Sequence, residues 1–524
     1  MILALARRHR VAALLLVALA AAFATRAWFF GDPVIQIDEE FYLMTGDRLL
    51  HGAIPYVDIW DRKPVGIFLL YAGIRLLGGE GIYQYQVVAT LFAAATAFLI
   101  SLMALRFSNG RGAALAGAAY LLWLLLFDGA GGQTPVFYNL FVAAAGALVM
   151  HAVVEETSHR RVFDFGAGAM LLIGIALQVK YSALFEGIFF GLALMWKARR
   201  TGASYAAIAG YALTWVGLAL LPTIAAIAWY ARIGHLDAFL YANFESIFQR
   251  GKWPVRDLAE RIGSIVGLSL PLLLCAYVEW RSPDRGRARD LSDPRRFALG
   301  WLAASIVGLL LFGTYFTHYF LPVLAPLTLC CAALLGDRRA AVAFSTASGE
   351  RRISLAMFLA ITGLALGALI IPKRLKNRGH DPEVRAVASV IKANLHGCML
   401  VFDGEPILYL LTQACLPTSR VFPNHLNDGV EANAVGLDPK AEVRRIMLSG
   451  RADIVVGSDR PDPGYNAGSL AIVRSALAAD YRPIFKIKIG SRERIVYKRV
   501  ERNGYPRDAA EAAAQRATDH RTIS

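Results

Sequence analysis

Ile37-Asp38-Glu39-Glu40-Phe41-Tyr42 follows the first long apolar run of the chain, and Gly52-Ala53-Ile54-Pro55-Tyr56-Val57-Asp58-Ile59-Trp60-Asp61-Arg62-Lys63-Pro64 comes shortly before the next unmistakable one. Three consecutive carboxylates, several aromatics and a paired cation before proline are more than a plain connection needs. The surroundings of this stretch decide the fold: between two membrane spans it becomes a surface loop, and chemistry at the membrane surface becomes the first hypothesis.

The surroundings are apolar. Of 524 residues, 56% are hydrophobic and 18% charged, and the apolar residues cluster in runs of about 18 or more, enough to cross a bilayer core. The chain therefore reads as a polytopic α-helical membrane protein. Its formal net charge is +15, but the arginines sit in short loops between apolar runs, with no basic face interleaved with stacking aromatics. They read as topology determinants, which excludes nucleic acid as a partner. Cys275, Cys330 and Cys331 lie in apolar runs as small hydrophobes, whereas Cys398 and Cys415, in the polar C-terminal part, can pair if that part is outside the cytoplasm. No Cys/His set has zinc spacing, so no structural metal is expected.

Candidate spans are Val11–Phe30, Tyr85–Leu105, Ala113–Phe127, Val136–Val154, Phe165–Tyr181, Ala183–Trp196, Tyr205–Ala231, Ile262–Trp280, Phe297–Gly313, Tyr319–Leu335 and Ile353–Ile371. Arg7, Arg8 and Arg10 before the first run, and Ala22-Phe23-Ala24 within it, resemble a signal peptide. The run nevertheless continues through Trp28-Phe29-Phe30 to a full span, so it is expected to be retained. With the N-terminus inside, Arg106, Arg111, Arg160, Arg161, Arg199, Arg200, Arg281, Arg295, Arg338 and Arg352 all fall on one side, as the positive-inside rule requires. That parity requires Val65–Leu77 not to cross; it is short, contains Arg75 and ends at Gly78-Gly79, so an interfacial helix is expected.

After Ile371 the pattern changes to short alternating elements. Helices are expected over Pro382–Asn394, Pro406–Thr412, Pro439–Leu448 and Ser469–Ala479, and strands over Cys398–Phe402, Asp453–Gly457, Ile484–Ile489 and Ile495–Lys498. The expected organisation is a transmembrane domain 1–371 with its first outer loop at 31–84, a small α/β domain 372–502, and a disordered tail 503–524.

Within the opening stretch, Asp38 suits a helix N-cap, with Glu39 and Glu40 complementing the helix dipole and a stop near His51 before Gly52. Capping and catalysis are compatible, since a carboxylate fixed at the membrane edge can also act as a general base. Arg62 and Lys63 before Pro64 place cations at a helix start, where they oppose the dipole; either Asp58 and Asp61 neutralise them or a phosphate is held there.

Asp38-Glu39-x-x-Tyr42, then Gly52-x-x-Pro55-Tyr56-x-Asp58, then Lys63-Pro64 resembles the first periplasmic loop of GT-C glycosyltransferases that use polyprenyl-phosphate sugars, a group that includes protein mannosyltransferases and the lipid A aminoarabinose transferase. The likeness covers roughly residues 1–371. It departs in having Lys63-Pro64-Val65 where Lys-Pro-Pro is usual, and in having Asp128 before Gly132-Gln133-Thr134-Pro135 where many relatives carry another acidic residue. The resemblance implies a GT-C-like fold of about eleven transmembrane helices with a small C-terminal α/β periplasmic domain. It implies that Asp38 is the catalytic base with Glu39 in support, and that Lys63 holds the carrier phosphate. Arg62, His318 and Tyr319 are further candidates for that phosphate, and Tyr42, Tyr56 and Asp58 for substrate. Lys180, Glu186, Arg250 and Lys252 are weaker candidates, each explicable as an interfacial or solvated charge.

The implied activity is inverting transfer of a sugar from a polyprenyl-phosphate carrier to an envelope glycan, lipid or protein acceptor at the periplasmic face of a bacterial inner membrane. The N-terminus would then be cytoplasmic. No cofactor is required, though a divalent cation is compatible. The alternatives are a transporter or flippase of lipid-linked saccharides, for which repeat symmetry and broken midplane helices are the expected signs, and an inactive relative that only binds lipid-linked sugar.

Overall fold

The computed structural model describes residues 2–281, 290–346, 349–461 and 464–500; the tail expected to be disordered lies outside the described residues. The chain forms two compact units. The first comprises Met1–Gly52, Lys63–Asn243 and Trp253–Lys376, and the second Ala53–Arg62, Phe244–Lys252 and Asn377–Ser524.

The first unit is helical. In chain order it contains α1 (Ile2–Arg26), α2 (Ile37–Leu50), α3 (Val65–Arg75), α4 (Ile82–Ala104), α5 (Gly110–Leu126), α6 (Thr134–Val154), α7 (His159–Val179), α8 (Leu184–Arg200), α9 (Tyr205–Arg232), the short α10 (Leu236–Leu240), α11 (Val255–Arg281), α12 (Pro294–Phe312), α13 (Leu321–Gly336) and α14 (Leu355–Arg378). Each expected span coincides with one of these helices. Among the described residues nine helical stretches are long and apolar enough to cross a membrane; α5 and α8, at 17 residues each, are shorter. The protein is a multi-pass membrane protein, and the large apolar side chains exposed on α9, such as Leu213 and Leu221, are what a lipid-facing helix carries. Between α13 and α14 the structure adds a hairpin of β1 (Ala341–Thr346) and β2 (Gly349–Ser354) that the sequence did not announce.

α2 and α3 are too short to span. The 11 residues of α3 rise only about 16 Å against a hydrocarbon core of about 30 Å. α3 packs on α2, α4 and α7. Arg75 at its end binds Oδ1 of the buried Asp47 of α2 through both Nε at 3.0 Å and Nη2 at 2.9 Å, a charge-assisted contact that ties the two short helices together.

In the second unit, helices α15 (Asp381–Asn394), α16 (Ile407–Thr412), α17 (Asn424–Asn427), α18 (Pro439–Leu448) and α19 (Ala467–Asp480) accompany a four-stranded sheet of β3 (Cys398–Val401), β4 (Ala452–Ser458), β5 (Tyr481–Ile489) and β6 (Arg492–Arg499). The strand order is β3-β4-β6-β5, with only the β3/β4 pair parallel. That pair is almost wholly buried, in keeping with its unbroken apolar runs. Leu400, Phe402, Val443, Ile446, Val455 and Val473 form the core beneath it. Cys398 and Cys415 are joined in a disulfide, their Cα atoms 4.5 Å apart. Two earlier stretches of chain belong to this unit. Trp60 N–H donates to the Ser419 carbonyl at 2.9 Å and Gly251 N–H to the Val430 carbonyl at 2.9 Å.

Candidate active site

The N-terminus of α2 begins two residues earlier than a capping Asp38 requires. The Gln36 carbonyl accepts from Glu39 and Glu40 N–H at 3.0 and 3.3 Å, and its side chain accepts from Ile37 N–H. Gln36 is therefore the cap and Asp38 the second helical residue, which corrects the capping expectation: the carboxylate of Asp38 is not spent on its own backbone. Instead the Gln133 side chain donates to Asp38 Oδ2 at 3.4 Å, and Lys63 Nζ lies 4.0 Å from Oδ1. Lys63 also stands over the Tyr42 ring, 5.4 Å from its centroid. Burial pushes the Asp38 carboxyl up, but Lys63, His318 and Lys180 outweigh burial and hold it below the usual carboxylate range.

Glu39 follows Asp38 by one residue, so its side chain is turned about 100° around the helix, and it is wholly buried. It lies against Gly131, where a Cβ would sit 1.8 Å from Glu39 Oε2; only glycine permits that approach. Arg26, at the end of α1 and also wholly buried, is within electrostatic reach of Glu39. Arg26 donates to the Gly129 carbonyl, to the Gly131 carbonyl at 2.6 Å and to Thr90 Oγ1 at 3.1 Å. The Tyr71 hydroxyl donates to the Gly132 carbonyl at 2.8 Å. A buried charge left alone costs several kcal/mol, so Arg26 and Glu39 stabilise one another and together brace the 129–133 turn that carries Gln133 to Asp38.

His318 and Tyr319 reach the same place from the start of α13. The Lys180 ammonium stands 3.8 Å from the Tyr319 ring centroid, and the His318 and Tyr319 rings meet edge to face at 4.8 Å. Two supports fix the His318 backbone and ring. Phe316 stacks on His318 at 5.7 Å, and Arg261 is held between Trp253 and Phe316, 4.1 Å from each ring. On the other side, the Thr317 hydroxyl donates to Asp128 Oδ2, while Asp128 Oδ1 pairs with Arg374 at 3.2 Å. Asp128, with a left-handed φ of +61°, is thus engaged on both oxygens and serves to position the His318 segment.

Asp38, Tyr42, Lys63, His318 and Tyr319 therefore converge within the first unit, together with Lys180, and Glu39 lies behind them. Arg62, Tyr56 and Asp58 belong to the second unit. Asp58 accepts from Ile54 N–H at 2.7 Å and closes its own turn. Arg62, expected beside Lys63 on a phosphate, pairs with the buried Glu431 at 2.6 Å, and Arg250 pairs with the same carboxylate at 2.6 Å. Arg62 and Lys63 are neighbours in sequence, but a buried carboxylate draws Arg62 to a different partner. Glu186 is buried in α8, where it accepts from Ser305 at 3.3 Å. Lys252 is exposed. Among the described residues no group of three His, Cys, Asp or Glu side chains is placed to hold a metal ion. Sequence reasoning missed Arg26, Gln133, Arg261 and Arg374. Of these only Arg26 left a signal, an arginine within an apolar run, and such residues face protein rather than lipid.

A carboxylate about one-fifth exposed, edged by two lysines and a histidine, offers a proton acceptor next to an anion-binding patch. No family model matches the sequence, and no curated protein matches it by sequence. In three dimensions the chain is similar to ArnT from Cupriavidus metallidurans bound to undecaprenyl phosphate, with a TM-score of 0.58, 14% identity, and 95% of this chain and 99% of that one covered. The apo form of ArnT gives a TM-score of 0.59 at 15% identity, covering 94% and 98%. The oligosaccharyltransferase of Archaeoglobus fulgidus gives 0.51 at 11% identity, covering 86% and 69%. The chain has the fold of the GT-C glycosyltransferases.

Proposed function

We propose that the protein is a membrane glycosyltransferase that moves a sugar from a polyprenyl-phosphate carrier to an envelope glycan, lipid or protein acceptor. The observation that carries this reading is Asp38, available at the start of α2 and set between Gln133, Lys63, His318 and Lys180. An acceptor hydroxyl gives its proton to Asp38 as its oxygen bonds to the anomeric carbon. The carbon–oxygen bond to the phosphate breaks with its electron pair, and the configuration inverts. Polyprenyl phosphate already leaves readily, so what the step requires is cations where charge develops on the phosphate. Lys63 and Lys180 supply them, with His318 and Tyr319 completing the patch. The ArnT structure holding undecaprenyl phosphate supports a carrier of this class.

On this reading the reaction occurs at the periplasmic face of the inner membrane, with the N-terminus cytoplasmic and the second unit periplasmic. The Cys398–Cys415 disulfide, which suits an oxidising compartment, supports that side. The step as written draws on protein groups alone and is compatible with a divalent cation on the donor. Purified protein in nanodiscs is tested with a polyprenyl-phosphate sugar labelled in the sugar. Transfer of label to an acceptor, with release of polyprenyl phosphate, is expected; transbilayer movement of intact donor without transfer would replace this reading with that of a flippase.

A further inference from the structure

We propose that a cleft at the other end of the helix bundle binds the phosphodiester headgroup of an anionic phospholipid. α4 runs away from the candidate active site, which lies by its Ile82 end, and α5 returns to it at Asp128, so the α4–α5 turn lies at the opposite end of both helices. There a cavity of about 740 Å³ is lined by Arg106 and Arg111 of that turn, Arg295 at the start of α12, and Arg338 just past α13. Arginines needed only to set topology have no reason to converge on one concavity from three separate parts of the chain.

The floor of the cleft is built rather than incidental. Ser108 donates to the Ala332 carbonyl at 2.8 Å, Asn109 Nδ2 donates to the Gly336 carbonyl at 2.9 Å, and Asn109 Oδ1 caps α5 at Gly112 N–H. A Cβ at Gly112 would lie 2.2 Å from the Ala332 carbonyl oxygen, so the turn is locked against α13 by direct backbone approach. Arg106 is paired with Glu155, and Arg295 with Glu279, which neutralises those two. Among the described residues Arg111 and Arg338 are held by no ion pair, and Asp337 is the one carboxylate in the lining. The balance is close to one positive charge, which matches a singly charged phosphodiester and falls short of a polyphosphate. The arginine fork suits its two free oxygens.

The occupant is a lipid because of what adjoins the cleft. A second cavity shares Arg295 and Phe107 with it; Trp196, Trp280 and Leu299 form its apolar wall, and Glu279, Asp290, Asp293 and Arg296 its polar one. Trp280 is 60% exposed, as expected of an aromatic at the headgroup level of a bilayer. A headgroup in the first cavity thus places its acyl chains along tryptophan and leucine, and basic pockets between spans are known to hold such headgroups.

The full-length protein is reconstituted with phosphatidylglycerol and phosphatidylcholine at equal amounts, and retained lipid is counted by native mass spectrometry. Preferential retention of phosphatidylglycerol is expected. Arg111→Gln with Arg338→Gln should weaken it roughly tenfold or more, whereas Arg160→Gln with Arg161→Gln, which removes the same charge from another loop, should leave it unchanged. Arg111→Lys with Arg338→Lys keeps the loop charge, inserts normally, and should still lose part of the retention because the fork is gone. Equal retention of the two lipids by the wild type, or equal loss in the two Gln pairs, would overturn the proposal. Displacement of the lipid by millimolar inorganic phosphate would identify a free-anion site instead.

Discussion

Asp38→Asn separates chemistry from architecture because the structure bounds what the substitution costs in each. Asp38 is the second residue of α2, not its cap, so losing its charge forfeits a dipole interaction of about 0.3–1 kcal/mol. It also forfeits an ion pair with Lys63 whose atoms are 4.0 Å apart and whose side chains are each about one-fifth exposed, worth about 0–1 kcal/mol. The Gln133 contact survives, since the asparagine carbonyl still accepts. Stability should therefore fall by less than about 2 kcal/mol. Turnover should fall about a hundredfold or more, or about 2.7 kcal/mol in the barrier. Donor affinity should hold or improve, because Lys63 and Lys180 are released from a competing anion. The assay is transfer rate at saturating donor in nanodiscs, with thermal unfolding measured on the same preparation. Near-wild-type turnover in well-folded protein would refute the reasoning and remove Asp38 from the mechanism.

Lys63→Ala should raise the donor KM several-fold or more with a smaller effect on kcat, since it deletes a phosphate contact and leaves the proton acceptor in place; an unchanged KM would take Lys63 off the donor. Gly131→Ala drives a methyl into Glu39 Oε2 and should cost about 1–3 kcal/mol of stability while lowering turnover through the displaced 129–133 turn; a neutral result in thermal unfolding and activity would show that the turn relaxes freely. Glu431 is raised by burial but held below its ordinary value by Arg62 and Arg250. Its stabilisation is thus present above about pH 4.5 and is lost as pH falls through its lower folded value, so the Tm gap between wild type and Glu431→Gln should be widest near neutrality and close in acid. A gap that grows on acidification would contradict that sign. Phosphatase fusions after Asp381 should be active and cytoplasmic reporters there silent; the reverse would mean that α3 crosses and that the second unit faces the cytoplasm.

Much of the architecture was legible in order along the chain. Spans are long apolar runs, and the bilayer imposes their length from outside, so each expected span became one helix. The same local logic found α18 at Pro439–Leu448, where proline and a dipole-matched first turn mark the start. It also found the strands of the second unit from their β-branched runs, although β1 and β2 escaped because residues 341–354 carry no comparable alternation. The loop motif located Asp38 and Lys63, since residue type and spacing survive as text. Partner choice is a different quantity. Whether Asp38 or Gln36 caps α2 depends on two residues of backbone, and whether Arg62 joins Lys63 or Glu431 depends on a carboxylate hundreds of residues away. Glu39 beside Asp38 in sequence, yet buried against Gly131 and Arg26, was decided by rotation about the helix. The clamp of Asp128, Thr317 and Arg374 and the stack of Trp253, Arg261, Phe316 and His318 exist only once distant helices are packed. Local periodicity and solvent set the elements one at a time, whereas the pairing of charges is a long-range choice made by desolvation, which no window of sequence contains.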